Sequence, residues 1–314
     1  MSLTVFIDGA AGTTGLKIRE RLEQHDALSL LSLSDQDRRN PDRRRDILNA
    51  ADIAILCLPD DAAREAVAMV EGGTTRIIDA SSAHRTDKDW VYGFAELDPQ
   101  QFDAISGARF VSNPGCYPTG FVALVAPLVD AGLVPADYPF TVHAVSGYSG
   151  GGKALIGRME EDEPDIAWRG YGLDMMHKHL PEMTLHAGLA HAPIFSPAVV
   201  HAYRGMAVEV PLHIGGTSDV AGADALHERL AEHYAHAPLV TVRPLVNDGA
   251  PEELLIRTGT LGDDRLKLSV FSRADGRQAR LFAMLDNLGK GASGAAVQNL
   301  NIMAGLDPVT GLRL

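Results

Sequence analysis

The stretch TVFIDGAAGTTG, Thr4 to Gly15, decides how the rest of the chain is read. TVFID (Thr4–Asp8) is a short apolar run of strand length. GAAGTTG (Gly9–Gly15) follows at once, and Leu16, Ile18 and Leu22, with charges between them, then read as an amphipathic helix. A glycine turn between a strand and a helix is where an open α/β sheet receives a dinucleotide. Glycines let the backbone turn tightly and approach a pyrophosphate, whose charge rests on the free N–H groups of the helix start. The spacing is G-x-x-G-x-x-G rather than the commoner G-x-G-x-x-G. Gly9, Gly12, Thr13, Thr14 and Gly15 are therefore candidate cofactor contacts, with a plain strand-to-helix turn as the competing reading.

Outward from this turn the alternation continues. Ala27–Leu33 is a second apolar run, and Arg38–Arg45 a charged segment leading into a short helix. Asp52–Leu58 (DIAILCL) is a third strand, Asp60–Val70 a helix, and Arg76–Ala80 and Arg109–Ser112 further strands. Such alternation predicts a parallel, Rossmann-type sheet with helices on both faces. After Ser112 the rhythm changes. A helix is expected over Thr119–Ala131, kinked at Pro127. The segments Phe140–Val145, Ala207–Leu212, Val240–Pro244, Arg257–Thr260 and Leu266–Phe271 alternate rather than run, with one long helix, Ala223–Ala235, among them. The fold class expected is α/β: a parallel-sheet domain plus a second, α+β domain with a mostly antiparallel sheet. The boundaries expected are residues 1–115 and 116–289.

The composition narrows the function. The chain has 314 residues, 46% hydrophobic, enough for a sizeable core. A formal net charge of -13 disfavours nucleic acid or an anionic membrane as partner, while leaving room for an anionic small molecule at a locally positive site. Two cysteines without Cys-x-x-Cys fit a reducing compartment. No apolar run reaches membrane-spanning length, and no basic segment followed by an apolar one opens the chain, so a soluble cytoplasmic protein is expected.

The second strand should end near an adenosine ribose. It ends at Ser34, followed by Asp35, Arg38 and Arg39. An acid there suits a free 2′-hydroxyl and an arginine a 2′-phosphate, so Ser34 and Arg38 lean the cofactor toward NADP.

The cysteines differ. Cys57, inside ILCL, reads as inert core filling. Cys116 sits in SNPGCYPTGF (Ser112–Phe121), after a Pro-Gly turn and before Pro118, which suits a first helical turn. A sulfur at a helix N-terminus is favoured as thiolate. It also stands where the nucleotide domain ends and the second begins, the place at which open α/β sheets bind ligands. A thiolate nucleophile needs an acid/base partner, and MHKHLPEMTLH supplies His177 and His179 in a loop before Pro181, with Glu182 able to orient one of them. A zinc site fits less well, because the cysteines do not cluster with these positions. GYSGGGK (Gly147–Lys153) is a glycine loop that permits close backbone approach to a ligand, or else a flexible hairpin tip.

NPGCYPT, VSGYSGGGK, HKHLPE and KGASGAAVQNLN (Lys290–Asn301) resemble N-acetyl-γ-glutamyl-phosphate reductases, specifically the shorter form. The resemblance runs from Gly9 to Asn301, and the chain departs from the longer form in lacking several loop segments. It implies NADPH-dependent reduction of an N-acetyl-glutamyl acyl phosphate to the semialdehyde, with release of phosphate, in arginine biosynthesis. It also implies a homodimer or homotetramer and catalysis by Cys116 with His177, His179 and Glu182. Gly150 and Asn299 would join the cofactor site, the last segment, 290–314, returning to the first domain. Arg85, in DASSAHR (Asp79–Arg85), with Asn113 and Ser149, would hold substrate; no metal is implied. Rival readings are a related acyl-phosphate reductase such as aspartate-semialdehyde dehydrogenase, a non-catalytic nucleotide-binding redox sensor, and a cysteine hydrolase, which would leave the glycine turn without a purpose.

Overall fold

A computed structural model describes every residue except Met1, Gln24, Asp35, Glu71, Thr217, 248–251 and Leu261, and excludes the Arg39 side chain. Its elements run β1 (Leu3–Asp8), α1 (Thr13–Leu22), β2 (Leu28–Leu31), α2 (Pro41–Ala50), β3 (Ile53–Leu56), α3 (Asp60–Met69), β4 (Arg76–Asp79), β5 (Val91–Tyr92), α4 (Gln101–Gly107) and β6 (Phe110–Ser112). They continue with α5 (Cys116–Asp130), β7 (Thr141–Gly147), α6 (Gly152–Gly157), β8 (Trp168–Gly170), α7 (Leu180–His186), β9 (Ile194–Val200), β10 (Met206–His213), α8 (Ala223–His233), β11 (Val240–Val242), β12 (Leu266–Ser272), β13 (Gln278–Leu285) and α9 (Gly294–Met303).

The chain divides into two compact units. One comprises Met1–Ala95, Pro99–Pro114 and Ala292–Leu312; the other Glu96–Asp98, Gly115–Gly291 and Arg313–Leu314. In the first, six strands form an all-parallel sheet in the order β2-β1-β3-β4-β6-β5. Its central strands are apolar on both faces, as a doubly covered parallel sheet requires: every residue of β3 is buried. Val5, Ile7, Ile55 and Ile78 pack with Ile18 of α1 and Val297 and Leu300 of α9; Phe6, Leu56 and Ile77 pack with Leu48, Ala63 and Ala66. Helix α2 is capped by its sequence. Asn40 Oδ1 accepts the Asp42 and Arg43 N–H groups, and Pro41 opens α2, where a missing N–H costs nothing. Cys57 lies one residue past β3, not inside it as expected. Its thiol is pushed up to about 12 by burial and by Asp79 and Asp8, which fits an inert filler.

The second unit holds a seven-stranded sheet in the order β11-β12-β13-β10-β7-β9-β8. It is mostly antiparallel, with parallel pairing at β11–β12 and β7–β9. α5 and α8 lie on one face. Gly120 of α5 sits where a Cβ would fall 2.8 Å from Val208 Cγ2, so the helix meets the sheet at a glycine. α5 does not stop at Pro127 but runs on to Asp130. Proline removes the N–H that Ala123 O would accept, and the buried Tyr234 hydroxyl donates to that carbonyl instead, at 2.9 Å. One expectation fails here and one competing reading is set aside. Arg257–Thr260 joins no strand and forms a turn in which Thr260 N–H donates to Arg257 O. Gly147–Lys153 is no hairpin tip: Tyr148–Gly151 makes a single 3₁₀ turn and α6 follows, with Gly152 at φ +72°. Among the described residues no helix is long and apolar enough to cross a membrane.

Candidate active site

In the first unit the turn from β1 into α1 is built by its glycines. Gly9 adopts φ +87°, and a Cβ there would lie 2.3 Å from Cys57 O. A Cβ on Gly15 would lie 2.4 Å from Gly9 O, and Gly12 N–H closes the turn on Gly9 O at 2.9 Å. Only glycine fits the first and last of these positions. Thr13 and Thr14 open α1, and Thr13 Oγ1 is buried without a hydrogen-bond partner, as a hydroxyl awaiting a ligand oxygen would be.

Beside this turn is a cavity of about 300 Å³ lined by Gly9, Ala10, Ser32, Leu33, Arg38 and Arg44, among others. Its size suits an adenosine. Arg38, expected at the ribose, lines it. Ser34 does not line it: its Oγ donates to Asp37 Oδ2 at 2.7 Å and accepts the Asp37 N–H at 3.2 Å. Asp35 and the Arg39 side chain lie outside the described residues. Arg44 stands in a run of arginines that nothing in the sequence tells apart. It lines the cavity and pairs with Asp8, Nη2 to Oδ2 at 2.7 Å, both side chains largely buried.

The same unit gathers Arg85, Asn113 and Asn299. Arg85 is buried, its Nε donating to Asn113 O and Nη2 to Ala80 O, each at 2.9 Å. Asn113 Oδ1 accepts from Asn299 Nδ2 at 3.1 Å, which also donates to Gly93 O, while Asn299 Oδ1 is buried without a partner. The loop carrying Arg85 is fixed by Asp79. That carboxylate takes the Ser81 hydroxyl and His84 Nδ1, each at 2.6 Å, and His84 stacks on Trp90 with ring centroids 4.1 Å apart. The sequence singles out Arg85 in DASSAHR, and the fold adds Asp79 as the hub of that loop.

In the second unit Cys116 is the first residue of α5 and is part-exposed. Two contacts hold it there. Glu182 Oε1 accepts the Gly115 N–H at 2.7 Å, and Gly291 approaches so closely that a Cβ on it would lie 3.0 Å from Cys116 Cβ. Glu182, expected to orient a histidine, thus holds the turn before the cysteine.

Tyr117 gathers both histidines, with ring centroids 6.0 Å from His177 and 5.9 Å from His179. Its hydroxyl donates to Ala198 O at 3.1 Å and accepts from Tyr171 Oη at 3.2 Å. His177 sits among Tyr117, Tyr171, Phe195 and His179. Its Nδ1 accepts the His179 N–H at 3.2 Å, which leaves the ring proton on Nε2. Burial first, then the Lys178 charge, push its pKa down from 6.5 to about 4, against a smaller opposite pull from Asp174. At neutral pH it is an uncharged donor through Nε2. His179 is buried at the start of α7. Burial raises the Tyr117 hydroxyl far above its ordinary range, with Tyr171 and Cys116 adding to it; Tyr171 is pushed up to about 12, again chiefly by burial. Both are hydroxyl donors rather than bases.

Ser149 and Gly150 occupy the 3₁₀ turn after β7. Ser149 is buried and its Oγ accepts from Asn287 Nδ2 at 3.0 Å; Gly150 is exposed beside the same amide. Among the described residues no cluster of His, Cys, Asp and Glu could hold a metal ion.

Comparison with known proteins adds an independent line. Residues 4–105 match the model for the semialdehyde dehydrogenase NAD binding domain, and residues 116–287 that for the semialdehyde dehydrogenase dimerisation domain. The chain is 53% identical over 310 residues to N-acetyl-gamma-glutamyl-phosphate reductases of Brucella ovis and Brucella suis, covering 97% of this chain and 100% of each relative. Among solved structures it is similar to aspartate semialdehyde dehydrogenase II from Vibrio cholerae, with TM-score 0.73 and 18% identity over 97% of this chain and 99% of that one. The aspartate semialdehyde dehydrogenase from Francisella tularensis gives TM-score 0.67 and 17% identity over 96% and 100%. At such identities these structures speak to the fold alone.

Proposed function

The chain belongs to the N-acetyl-gamma-glutamyl-phosphate reductase family, and from that premise we propose how its residues carry the reaction. It is an NADPH-dependent acyl-phosphate reductase that converts N-acetyl-L-glutamyl 5-phosphate to the 5-semialdehyde and phosphate in arginine biosynthesis. The observation that carries the residue assignment is the grouping of Cys116, His177 and His179 around Tyr117, with Glu182 on the Gly115 N–H.

Cys116 Sγ, as thiolate at the start of α5, attacks the acyl carbon. A C–S bond forms, the C–O bond to phosphate breaks, and inorganic phosphate leaves with the bonding electrons. Phosphate is a good leaving group, so the work lies in positioning it and balancing its charge, which is the role assigned to Arg85. Hydride transfer to the carbonyl carbon of the resulting thioester is the chemistry NADPH supplies when bound. The two histidines divide the rest. His177, neutral and donating through Nε2, holds the carbonyl oxygen. His179 takes the proton from the Cys116 thiol and returns one to that sulfur when the thiohemiacetal oxyanion collapses to the aldehyde, breaking the C–S bond.

The residues present fit the cofactor. The turn Gly9–Gly15 and α1 receive the pyrophosphate, and Thr13 Oγ1 gives an unused hydroxyl. Arg38 in the adenosine-sized cavity suits a 2′-phosphate. Asn299 Oδ1, buried without a partner, suits the amide nitrogen of a nicotinamide. We further propose a cytoplasmic homodimer or homotetramer; the match of residues 116–287 to the dimerisation model supports the assembly. Assaying phosphate-dependent reduction of NADP with N-acetyl-glutamate semialdehyde beside aspartate semialdehyde tests the reading. Preference for the acetylated substrate supports it; equal or reversed preference sinks it.

A further inference from the structure

Arg169 is a cation of the second unit that the chemistry above leaves without a task. It is the middle residue of β8, the last strand of the seven-stranded sheet, and lies opposite Val199 of β9. Residues directly opposite in a ladder share a face. Val199 is opposite Ser146 of β7, and Ser146 is opposite Met206 of β10. Two residues along β10 on the same face, Val208 packs under Gly120 of α5. Arg169 therefore stands on the face covered by α5, the helix that begins with Cys116. Tyr171, two residues further along the chain, points the same way and meets the Tyr117 hydroxyl at 3.2 Å.

The guanidinium carbon of Arg169 lies 4.9 Å from the centre of the Tyr171 ring, and that ring lies 5.6 Å from His177. Tyr171 thus touches both the cation and the histidine assigned to the carbonyl oxygen. Its hydroxyl also senses the nucleophile: the Tyr171 pKa, set chiefly by burial, is raised by Cys116 and drawn down by Arg169.

Arg169 has no acid beside it. Among the described residues it makes no hydrogen bond and no ion pair, whereas Arg158, Arg204 and Arg280 of the same unit each hold a glutamate or an aspartate. A guanidinium stacked by its face on an aromatic ring keeps its N–H groups at the edge, in the fork that fits a carboxylate. The side chain is part-exposed, so a small ligand can reach it. The chain as a whole, at -13, repels an anion, and a carboxylate-bearing substrate needs local cations to offset that.

The substrate carries such a group. The α-carboxylate of an N-acetyl-glutamyl chain lies about 5 Å from the reacting carbonyl carbon when extended. With a hydrogen bond of about 3 Å at each end, the molecule reaches from the His177 side of the Tyr171 ring to Arg169.

We propose that Arg169 binds the α-carboxylate of the substrate through a two-pronged hydrogen bond and thereby sets the preference for a carboxylate-bearing aldehyde. The assignment rests on the reaction proposed above. Lys178, exposed and next to His177 in the chain, is the alternative cation.

The test is the phosphate-dependent reduction of NADP with two aldehydes: N-acetyl-L-glutamate 5-semialdehyde, and 4-acetamidobutanal, the same molecule without its carboxylate. Wild type should favour the first at least tenfold in kcat/KM, as a charge-assisted hydrogen-bonded pair provides. Arg169→Met should lose that preference. Its kcat/KM for the semialdehyde should fall at least tenfold, through KM, while that for 4-acetamidobutanal stays within about threefold of wild type, which also shows the variant to be folded. Arg169→Lys keeps the charge but not the fork and should retain part of the preference. Lys178→Met should keep the wild-type ratio. An Arg169→Met variant that loses equally on both aldehydes overturns the proposal, because the arginine then serves only to hold Tyr171. A wild type without preference, or a preference abolished by Lys178→Met and not by Arg169→Met, overturns it too. A wild type inactive toward the semialdehyde overturns the reaction and the carboxylate site together. A wild type active toward it, with a preference that survives Arg169→Met, overturns the carboxylate site alone.

Discussion

Acidification should weaken the fold through His177, and the structure sets both the sign and the size. An unfolded histidine binds its proton near pH 6.5, whereas His177 in the fold does so only near 4, because burial and Lys178 disfavour the charge. Between those values the unfolded chain holds the extra proton, so the stabilising contribution is complete above about 6.5 and is lost as pH falls toward 4. The window of about 2.5 pH units, at about 1.4 kcal/mol per unit, bounds the effect near 3.4 kcal/mol. His177 is part-exposed, so solvent screening reduces this to about 1–2 kcal/mol. Urea unfolding of wild type and His177→Asn at pH 7 and pH 4.5 measures it. Asparagine cannot take the proton, so the stability difference between the two proteins should shrink or reverse at the lower pH by that amount. Imidazole ¹⁵N shifts would show a neutral ring protonated on Nε2 at pH 6. Parallel stability curves, or a ring that protonates near 6.5, would refute both the burial argument and the assignment of His177 as a neutral donor.

Three further outcomes are expected. Cys116→Ser should lose several orders of magnitude in kcat yet bind NADPH within about threefold of wild type, since the glycine turn lies elsewhere in the sequence; near-normal turnover would remove the thioester route. Gly15→Ala places a methyl 2.4 Å from the Gly9 carbonyl, so NADPH affinity measured by fluorescence titration should drop at least tenfold, with undiminished binding showing that the turn is not the phosphate site. Lys290 is 1% exposed with Nζ on both Glu96 oxygens, so Lys290→Met should cost about 3–5 kcal/mol in urea unfolding by stranding the carboxylate. Adding Glu96→Leu should recover much of that loss, and a double variant as unstable as the single one contradicts the pairing.

What could be read from the residues was what the backbone dictates locally. The parallel sheet follows from β3, whose four residues IAIL need cover on both faces, and from a glycine turn whose conformation other residues cannot adopt. Cys116 at a helix start follows from the Pro-Gly before it and the Pro two residues after. The second sheet's antiparallel bias was visible in alternating strands such as β10, buried at every other residue. Through-space partners were not visible. Nothing in a run of arginines marks Arg44 as the one on Asp8, and nothing in HKHLPE says that Glu182 reaches the Gly115 N–H, 67 residues back in the chain. Arg257–Thr260 shows the opposite failure: its alternation suits a strand, but Arg257 and Thr260 close a turn on each other.

The two histidines illustrate how such long-range placement decides chemistry. In sequence they are equivalent, two imidazoles two residues apart before a proline. The fold makes them unequal by a single hydrogen bond, because the His179 amide donates to His177 Nδ1 and thereby commits that ring's proton to Nε2. Burial among Tyr117, Tyr171 and Phe195 then withholds a second proton. A ring so held can donate to a developing oxyanion but is a poor reservoir for the thiol's proton, which is why the proposed mechanism gives the duty of acid and base to its neighbour. The division predicts unequal losses: His179→Asn should flatten one limb of the kcat–pH profile, while His177→Asn, which keeps a side-chain N–H donor, should lower kcat with the shape of the profile intact. If the His177 variant alone flattens the profile, the roles are exchanged and the tautomer argument fails.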